Sequence, residues 1–282
     1  MIDLHVHTTA SDGQYTPSEI VEKAYEKKLS LIAITDHDTT EGLEEGEKKA
    51  KELGILFVRG IEISINRPGC EFHLLGLGLK SNSDSLKKLT SGVLSNRTLR
   101  NEEILQKLKS KGIKLDLETL QKDFSNTVIG RPHIAEELVK MKIVKTRQQA
   151  FDQYLAKGRS CYVDMKGADF NEAIQSINDS GGVPVLAHPM SLFLSWSKMP
   201  DFIKDLKDRG LKGLEAYHPG ARRAECYRLD ELARSLGLFI TAGSDFHGEK
   251  IRFDRKLGHT CKDKKIDDSF WFNELLPALA KK

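Results

Sequence analysis

The sequence predicts an α/β barrel built from parallel βα units and interrupted by an inserted helical subdomain. Three observations predict it. Short apolar runs alternate with helical patterns along most of the chain, one stretch from about residue 83 to 179 is almost wholly helical in pattern, and histidines and acids recur where the apolar runs finish. Strands that are apolar throughout, rather than alternating, are those covered on both faces by crossover helices. A chain of 282 residues is long enough for one such barrel with an insertion.

The elements follow in order. Ile2-Asp3-Leu4 opens the first strand, and Thr16-Pro17-Ser18-Glu19 is a capping box with Pro at the first helical position, so a helix begins there. Leu31-Ile32-Ala33-Ile34 is a second strand, followed by a polar helix from about Glu41 to Leu53. Ile55-Leu56-Phe57-Val58 and then Phe72 to Leu79 continue the series. Later strands are expected at Val183-Pro184-Val185-Leu186, Gly213-Leu214-Glu215-Ala216-Tyr217 and Leu238-Phe239-Ile240-Thr241. The helical stretch has polar joints around Ser125-Asn126, Lys142 to Arg147 and Gly158, with Cys161-Tyr162-Val163 its one strand-like run. The expected organisation is a first barrel part (1–82), a helical insertion capping the active site (83–179) and a second barrel part (180–282). Insertions on barrels sit on the loops of the catalytic face.

Composition excludes several classes. With 39% apolar residues, 22 Gly and 8 Pro, the chain is neither disordered nor fibrous. The 44 basic and 41 acidic residues leave a formal charge of only +3, so any contact with nucleic acid must come from a local site. Cys70, Cys161, Cys226 and Cys261 form no CxxC pair, which argues against a structural zinc site or a disulfide framework and for reduced thiols in the cytoplasm. No apolar run approaches the roughly 18 residues of a membrane span, and no leader pattern precedes the first strand. The expectation is a cytoplasmic protein with no membrane contact, and nothing in the sequence marks an obligate protein partner.

The polar residues carry the chemistry. His5 and His7 are two apart, which puts both side chains on one face of an extended segment. Asp12 lies in the next loop, Asp36-His37-Asp38 directly after the second strand, Glu62 after the third, and His73 in the fourth. His188 follows Leu186-Ala187, His218 follows Tyr217, and Asp245-Phe246-His247 follows Thr241-Ala242-Gly243. In a parallel barrel such positions converge at one mouth. A single His beside an apolar strand is ordinarily a packed residue. Packing histidines, however, have no reason to gather at so many strand ends beside Asp12, Glu62 and Asp245. The set is therefore a candidate metal site. Imidazole and carboxylate without thiolate suit Zn²⁺, Mn²⁺ or Fe²⁺, and the ligands suffice for two to three divalent ions when one carboxylate bridges. Such a cluster neutralises a phosphate and lowers the pKa of bridging water, which favours phosphoester hydrolysis.

His5-Val6-His7, Thr35-Asp36-His37-Asp38, Ala187-His188-Pro189 and Ser244-Asp245-Phe246-His247, in this order, resemble the PHP (polymerase and histidinol phosphatase) superfamily. Gly130-Arg131-Pro132-His133-Ile134-Ala135 resembles the subgroup containing nucleoside 3′,5′-bisphosphate phosphatases and 5′→3′ exoribonucleases of short RNA. The resemblance implies a distorted seven-stranded (β/α)7 barrel with a trinuclear centre. One ion would be held by His5, His7, Glu62 and Asp245, a second by bridging Glu62 with His73 and His188, and a third by Asp12, His37 and His247. It further implies that Arg131 and His133 bind phosphate and cap the pocket. A metal-bridging hydroxide would attack phosphorus, with Arg131, His133 and Asp245 as the catalytic set. His133 would donate to the phosphate or protonate the leaving oxygen.

Around this set, Asp36 and Asp38 are candidates for orienting His37 or waters, with a helix N-cap before Thr39-Thr40 as the alternative for Asp38. His218 has no ligand role by resemblance and is a candidate substrate phosphate contact, with a rim residue as the alternative; His259 is placed at the surface. Arg222-Arg223 and Lys157-Gly158-Arg159 are candidates for a second phosphate or an RNA backbone, with a solvated surface as the alternative, and Tyr162 for stacking on a base. The expected substrate is a small phosphorylated nucleotide, bisphosphate or mononucleotide, or a short RNA end. The alternatives are a histidinol-phosphate-type phosphatase, which would lack the Gly-Arg-Pro-His insertion, a polymerase-associated 3′→5′ nuclease, which would need a far longer chain, and a non-catalytic metal-dependent nucleotide-binding module, against which the full ligand set argues.

Overall fold

The computed structural model describes residues 1–125 and 127–281. Asn126, in the expected joint at Ser125-Asn126, lies outside the described residues. Seven strands lie side by side in chain order: β1 (Ile2–Asp3), β2 (Leu31–Ile34), β3 (Leu56–Ser64), β4 (His73–Leu77), β5 (Val183–Leu186), β6 (Gly213–Tyr217) and β7 (Phe239–Ala242). The sheet curls until its ends meet. His7 N–H donates to Phe246 O at 3.0 Å and Asp245 N–H to His5 O at 2.9 Å, so the seam runs through the segments that carry candidate ligands.

β2 shows why uninterrupted apolar runs form these strands. All four of its side chains are buried, but on opposite faces. Ile32 and Ile34 pack outward with Ile20, Val21 and Ala24 of α1 (Pro17–Glu26) and Ala50 of α2 (Leu43–Leu53), while Leu31 and Ala33 face Ile2, Leu4, Val58 and Val185 inside. α1 starts at the expected capping box: the Glu19 amide donates to Thr16 Oγ1 at 3.2 Å and the Thr16 amide to Glu19 Oε2 at 2.8 Å. Beyond β7, Ile266 and Leu275 close the barrel floor, where Ile2 N–H donates to Ile266 O at 3.1 Å.

Two expectations need correction. The strands are not all parallel: β4 runs antiparallel to both β3 and β5. The third strand is also longer than Ile55 to Val58, so that Glu62 lies within β3 rather than after it. The connection between β3 and β4 is only residues 65–72, too short for the crossover that parallel neighbours require.

The helical stretch comprises α3 (Asp84–Lys109), α4 (Leu117–Asp123), α5 (Arg131–Lys140), α6 (Arg147–Ala150), a π-turn at Phe151–Leu155 and α7 (Phe170–Asp179). It does not pack as one unit. Leu86 and Val93 of α3, with Phe170, Ile174 and Ile177 of α7, join the barrel core, whereas Ile104, Leu108, Leu120, Ile134, Leu138, Leu155 and Cys161 form a core of their own. Residues 161–163 form no strand. Among the described residues, no helix is long and apolar enough to cross a membrane.

Candidate metal centre and the cavity above it

One mouth of the barrel brings together His5, His7, Asp12, His37, Glu62, His73, His188, Asp245 and His247. They fall into four overlapping groups, each with its ligand atoms within 4.8 Å of one another: His7, Asp12, His37 and His247; His5, His7 and Asp245; His5, Glu62 and His188; His37, Glu62 and His73. The antiparallel course of β4 is what includes His73. It starts its strand opposite Ser64, the last residue of β3, so a strand start and a strand end share the mouth.

Glu62 is the hub. Its Oε2 lies 3.2 Å from His5 Nε2, 3.2 Å from His7 Nε2 and 3.1 Å from His37 Nδ1; its Oε1 lies 3.0 Å from His73 Nδ1 and 2.8 Å from His188 Nε2. Five imidazoles around one carboxylate is the placement of a bridging ligand. His37 reaches two groups, the Asp12–His247 side and the Glu62–His73 side.

The hydrogen bonds around the ring nitrogens test whether metal ions fit. His247 Nδ1 donates to Asp245 O at 2.9 Å, which leaves Nε2 as a bare lone pair 3.3 Å from Asp12 Oδ1. The Ser191 hydroxyl donates to Glu71 O at 2.7 Å, so its oxygen accepts from His188 Nδ1 at 2.8 Å and the His188 Nε2 lone pair faces Glu62. His5 Nδ1 donates to Glu215 Oε1 at 3.0 Å, which likewise turns its Nε2 lone pair toward Glu62. His7 Nδ1, His37 Nδ1 and Glu62 Oε2 are buried without a hydrogen-bond partner. Lone pairs set against carboxylates repel unless cations lie between them, and the distal nitrogens are fixed as a metal-ligating imidazole requires. The donor set fits divalent ions.

The electrostatics agree. Burial pushes the Glu62, Asp12 and Asp245 carboxyls up, yet the facing imidazoles, and Arg252 beside Asp245, hold all three well below the usual range. Burial depresses the His7 imidazole, but Asp245 and Glu62 outweigh it and raise it to about 10. At His37 burial wins over Glu62 and Asp12 and pushes the ring down to about 3. The acids hold negative charge in a buried site, which calls for cations, either protons or metals.

Supporting groups hold these ligands in place. Asp36 accepts from Thr8 N–H at 2.7 Å, Thr8 Oγ1 at 2.7 Å and Ser11 Oγ at 2.6 Å, and so fixes the loop that delivers Asp12. Asp38 is not a helix cap, since α2 begins beyond Gly42. It is fully buried at φ 55°, accepts from Ser64 N–H at 2.7 Å and Ser64 Oγ at 2.9 Å, and is ion-paired to Arg97. His188 (φ 26°) and Asp245 (φ 51°) share this left-handed backbone, and such strain persists where the surroundings over-determine it. Glu215, on β6, is a site residue that the sequence does not mark, because a lone acid in an apolar run carries no sign of its own. The signal available was its place in strand alternation with Leu214 and Ala216.

Above the mouth lies a cavity of about 1290 Å³ that reaches from Asp12, His37, Glu62, His73, His188, Asp245 and His247 to the inserted helices. Arg131, the first residue of α5, lines it, donates to Glu71 Oε1 at 3.1 Å and lies over the Tyr162 and Phe151 rings. His133 is not among the lining residues. Its Nδ1 accepts the Gly130 amide at 3.0 Å and its ring stands edge-on to Phe124, so it caps α5. His218 lines the cavity, but its Nδ1 accepts from Gly220 N–H at 3.0 Å, so Nε2 carries the proton and donates to Asp245 Oδ2 at 3.2 Å. Arg252 Nη1 donates to the same oxygen at 2.9 Å, which leaves Asp245 Oδ1 for the histidines. Lys157 and Tyr162 line the cavity; Arg159, Arg222 and Arg223 are exposed and outside it, and Arg222 is the N-cap of the helix α8 (Arg223–Ser235). His259 is half-buried in the short strand β8 (His259–Thr260).

Two further arginines, which no motif marks, line the cavity from α3: Arg97 and Arg100. Arg100 is only 7% exposed, and among the described residues no carboxylate lies within ion-pair distance of it. Burial, with Arg97 and Arg131 nearby, holds its guanidinium well below the usual range.

Residues 3–172 match the PHP domain family. The chain is 35% identical over 245 residues to a 5′-3′ exoribonuclease of Haemophilus influenzae, covering 87% of this chain and 89% of that one. It is 31% identical over 262 residues to a 3′,5′-nucleoside bisphosphate phosphatase of Chromobacterium violaceum, covering 92% and 91%. Its fold superposes with a TM-score of 0.85 on the crystal structure of a proposed metal-dependent phosphoesterase from Bifidobacterium adolescentis, at 28% identity over 98% and 95% of the chains. The chain belongs to the PHP domain family of metal-dependent phosphoesterases. It is a hydrolytic enzyme, which removes the non-catalytic module from consideration.

Proposed function

We propose that the protein hydrolyses phosphate esters of nucleotides, either a nucleoside 3′,5′-bisphosphate or the 5′ end of a short RNA, with two to three Mn²⁺, Fe²⁺ or Zn²⁺ ions held by the nine ligands above. The observation that carries this reading is Arg100, a buried guanidinium without a carboxylate, facing the same cavity as the ligand cluster. A buried charge is tolerated when a partner neutralises it, and a phosphate of the substrate is that partner. Arg131 adds a second planar donor pair for phosphoryl oxygens, which Lys could not reproduce. Bound divalent ions would polarise the phosphoryl oxygens and supply activated water.

The protein's own groups set the geometry. His218 and Arg252 occupy one oxygen of Asp245 and direct the other to the cluster. His218 is therefore a positioning residue rather than a phosphate contact, and His133 acts by fixing the start of the helix that presents Arg131. Of residues 83–179, we place the part with its own core, from the second half of α3 to Cys161, as the cap of the pocket, while α7 belongs to the barrel. A cavity of about 1290 Å³ exceeds what a single small ligand needs, which suits a nucleotide with further groups attached. The four free cysteines suit a reducing cytoplasm.

The test is release of inorganic phosphate from adenosine 3′,5′-bisphosphate, and of nucleotides from a 5′-phosphorylated oligoribonucleotide, with Mn²⁺ present. Turnover of either, abolished in His37→Ala, is expected. Metal-loaded protein that turns over neither would refute the assignment.

A further inference from the structure

The two most exposed large apolar side chains among the described residues are Phe253, 91% exposed, and Phe193, 76% exposed. Both line the cavity that holds the ligand cluster. They come from separate loops, each a few residues past a ligand. Phe193 ends the 3₁₀ turn Pro189–Leu192 that follows His188, and Phe253 lies in the loop that follows His247. Phe193 is also held at φ 51°, a backbone conformation an aromatic residue rarely adopts. Exposed aromatic rings gathered at one opening mark a binding surface, because solvent exposure of apolar area is otherwise selected against.

The surroundings identify the occupant. Lys250, Arg252 and Arg255 line the cavity beside Phe253. Arg252 is paired with Asp245 and Arg255 with Asp254, whereas among the described residues Lys250 has no carboxylate within ion-pair distance and is the cation there open to a ligand. Aromatic faces interleaved with cations recognise single-stranded nucleic acid: the rings stack on bases without regard to sequence, and the cations follow the backbone. The arginines of the cap, Arg100 and Arg131, take the terminal phosphate. We infer that Phe193 and Phe253 form a stacking platform for the bases of a single-stranded RNA beyond the nucleotide being released. This rests on the nucleotide phosphoesterase reading above and narrows it to oligoribonucleotides.

The test compares kcat/KM for a short 5′-phosphorylated oligoribonucleotide and for a nucleoside 3′,5′-bisphosphate in the wild type, Phe193→Ala and Phe253→Ala, all loaded with Mn²⁺. Each substitution is expected to lower the oligoribonucleotide-to-bisphosphate ratio about tenfold, chiefly through KM. The loss should shrink on an oligoribonucleotide made abasic beyond its first nucleotide, and Phe193→Tyr should restore the ratio. An unchanged ratio, a loss that persists on the abasic strand, or a wild type that turns over only the bisphosphate would overturn the platform while leaving the phosphoesterase reading intact. A wild type inactive on both substrates would overturn the two together.

Discussion

Glu215 accepts the Nδ1 proton of His5 at 3.0 Å, and its second oxygen accepts the His188 amide at 2.8 Å. One buried carboxylate thus sets the tautomer of one ligand and anchors the strained backbone of another. An amide cannot do both. In Glu215→Gln, the single carbonyl oxygen can serve His5 or His188, and the NH₂ group then opposes a donor. Outer-shell substitutions of this kind typically cost about 10–100-fold in metal affinity or activity. Titration of metal-free protein with Mn²⁺ should show that loss, with the fold intact by circular dichroism. Wild-type affinity in the variant would mean that His5 needs no such partner.

Asp38 and Arg97 join the ligand cluster to the cap. Asp38 carries the positive-φ turn after His37 and ties it to Ser64 at the end of β3, while Arg97 reaches across from α3. Removing one partner of a buried ion pair leaves the other uncompensated, at a cost of about 3–5 kcal/mol. Asp38→Asn keeps the turn's tolerance for positive φ, so its loss isolates the charge. Denaturant unfolding should show destabilisation approaching that size. A change below about 0.5 kcal/mol, the range of ordinary surface substitutions, would show that water replaces the pair freely.

Much of the site was legible because ligand chemistry leaves local marks. His5 and His7 share a face by strand periodicity alone, and the capping box at Thr16 specifies its own helix start. What was not legible depends on direction and distance. Nothing local reveals that β4 runs antiparallel; only the brevity of residues 65–72 hints at it, and that direction puts His73 in the mouth. The same limit applies to His218, a strand-end histidine like the ligands. Its acceptor nitrogen is occupied by the Gly220 amide, a contact only the folded loop creates. His133 sits in a phosphate-site motif, yet its ring nitrogen is spent on the Gly130 amide. Arg97 and Arg100 lie on a helix among other charged residues, and burial alone separates them from solvated ones.

Metal removal should weaken the mouth of the barrel specifically. The seam between its first and last strands runs through His5, His7, Asp245 and Phe246, so ions held there also hold the barrel closed. A ligand that binds only the folded state stabilises by about 4 kcal/mol at a thousandfold excess over its Kd. Chelation should therefore lower the melting temperature, and hydrogen exchange should quicken first at residues 5–7 and 245–247. Because the ligands must be deprotonated to bind metal, acidification should release the ions and produce the same pattern. Uniform exchange across the barrel after chelation would show that the seam stands without them.

Arg100 separates stability from binding. A guanidinium buried without a carboxylate costs the free protein energy that a substrate phosphate would recover. Arg100→Met fills a similar volume without the charge, so the unliganded protein should be as stable as the wild type or up to about 1 kcal/mol more stable. The same substitution removes a charge-assisted phosphate contact worth about 1.5–3 kcal/mol, so KM for the bisphosphate should rise about 10–100-fold. Added inorganic phosphate should raise the melting temperature of the wild type and not that of the variant. Unfolding curves with and without phosphate, run beside initial-rate kinetics, check both arms. A variant that is destabilised yet keeps its KM would make Arg100 a structural residue of α3 and leave Arg131 as the phosphate ligand of the cap.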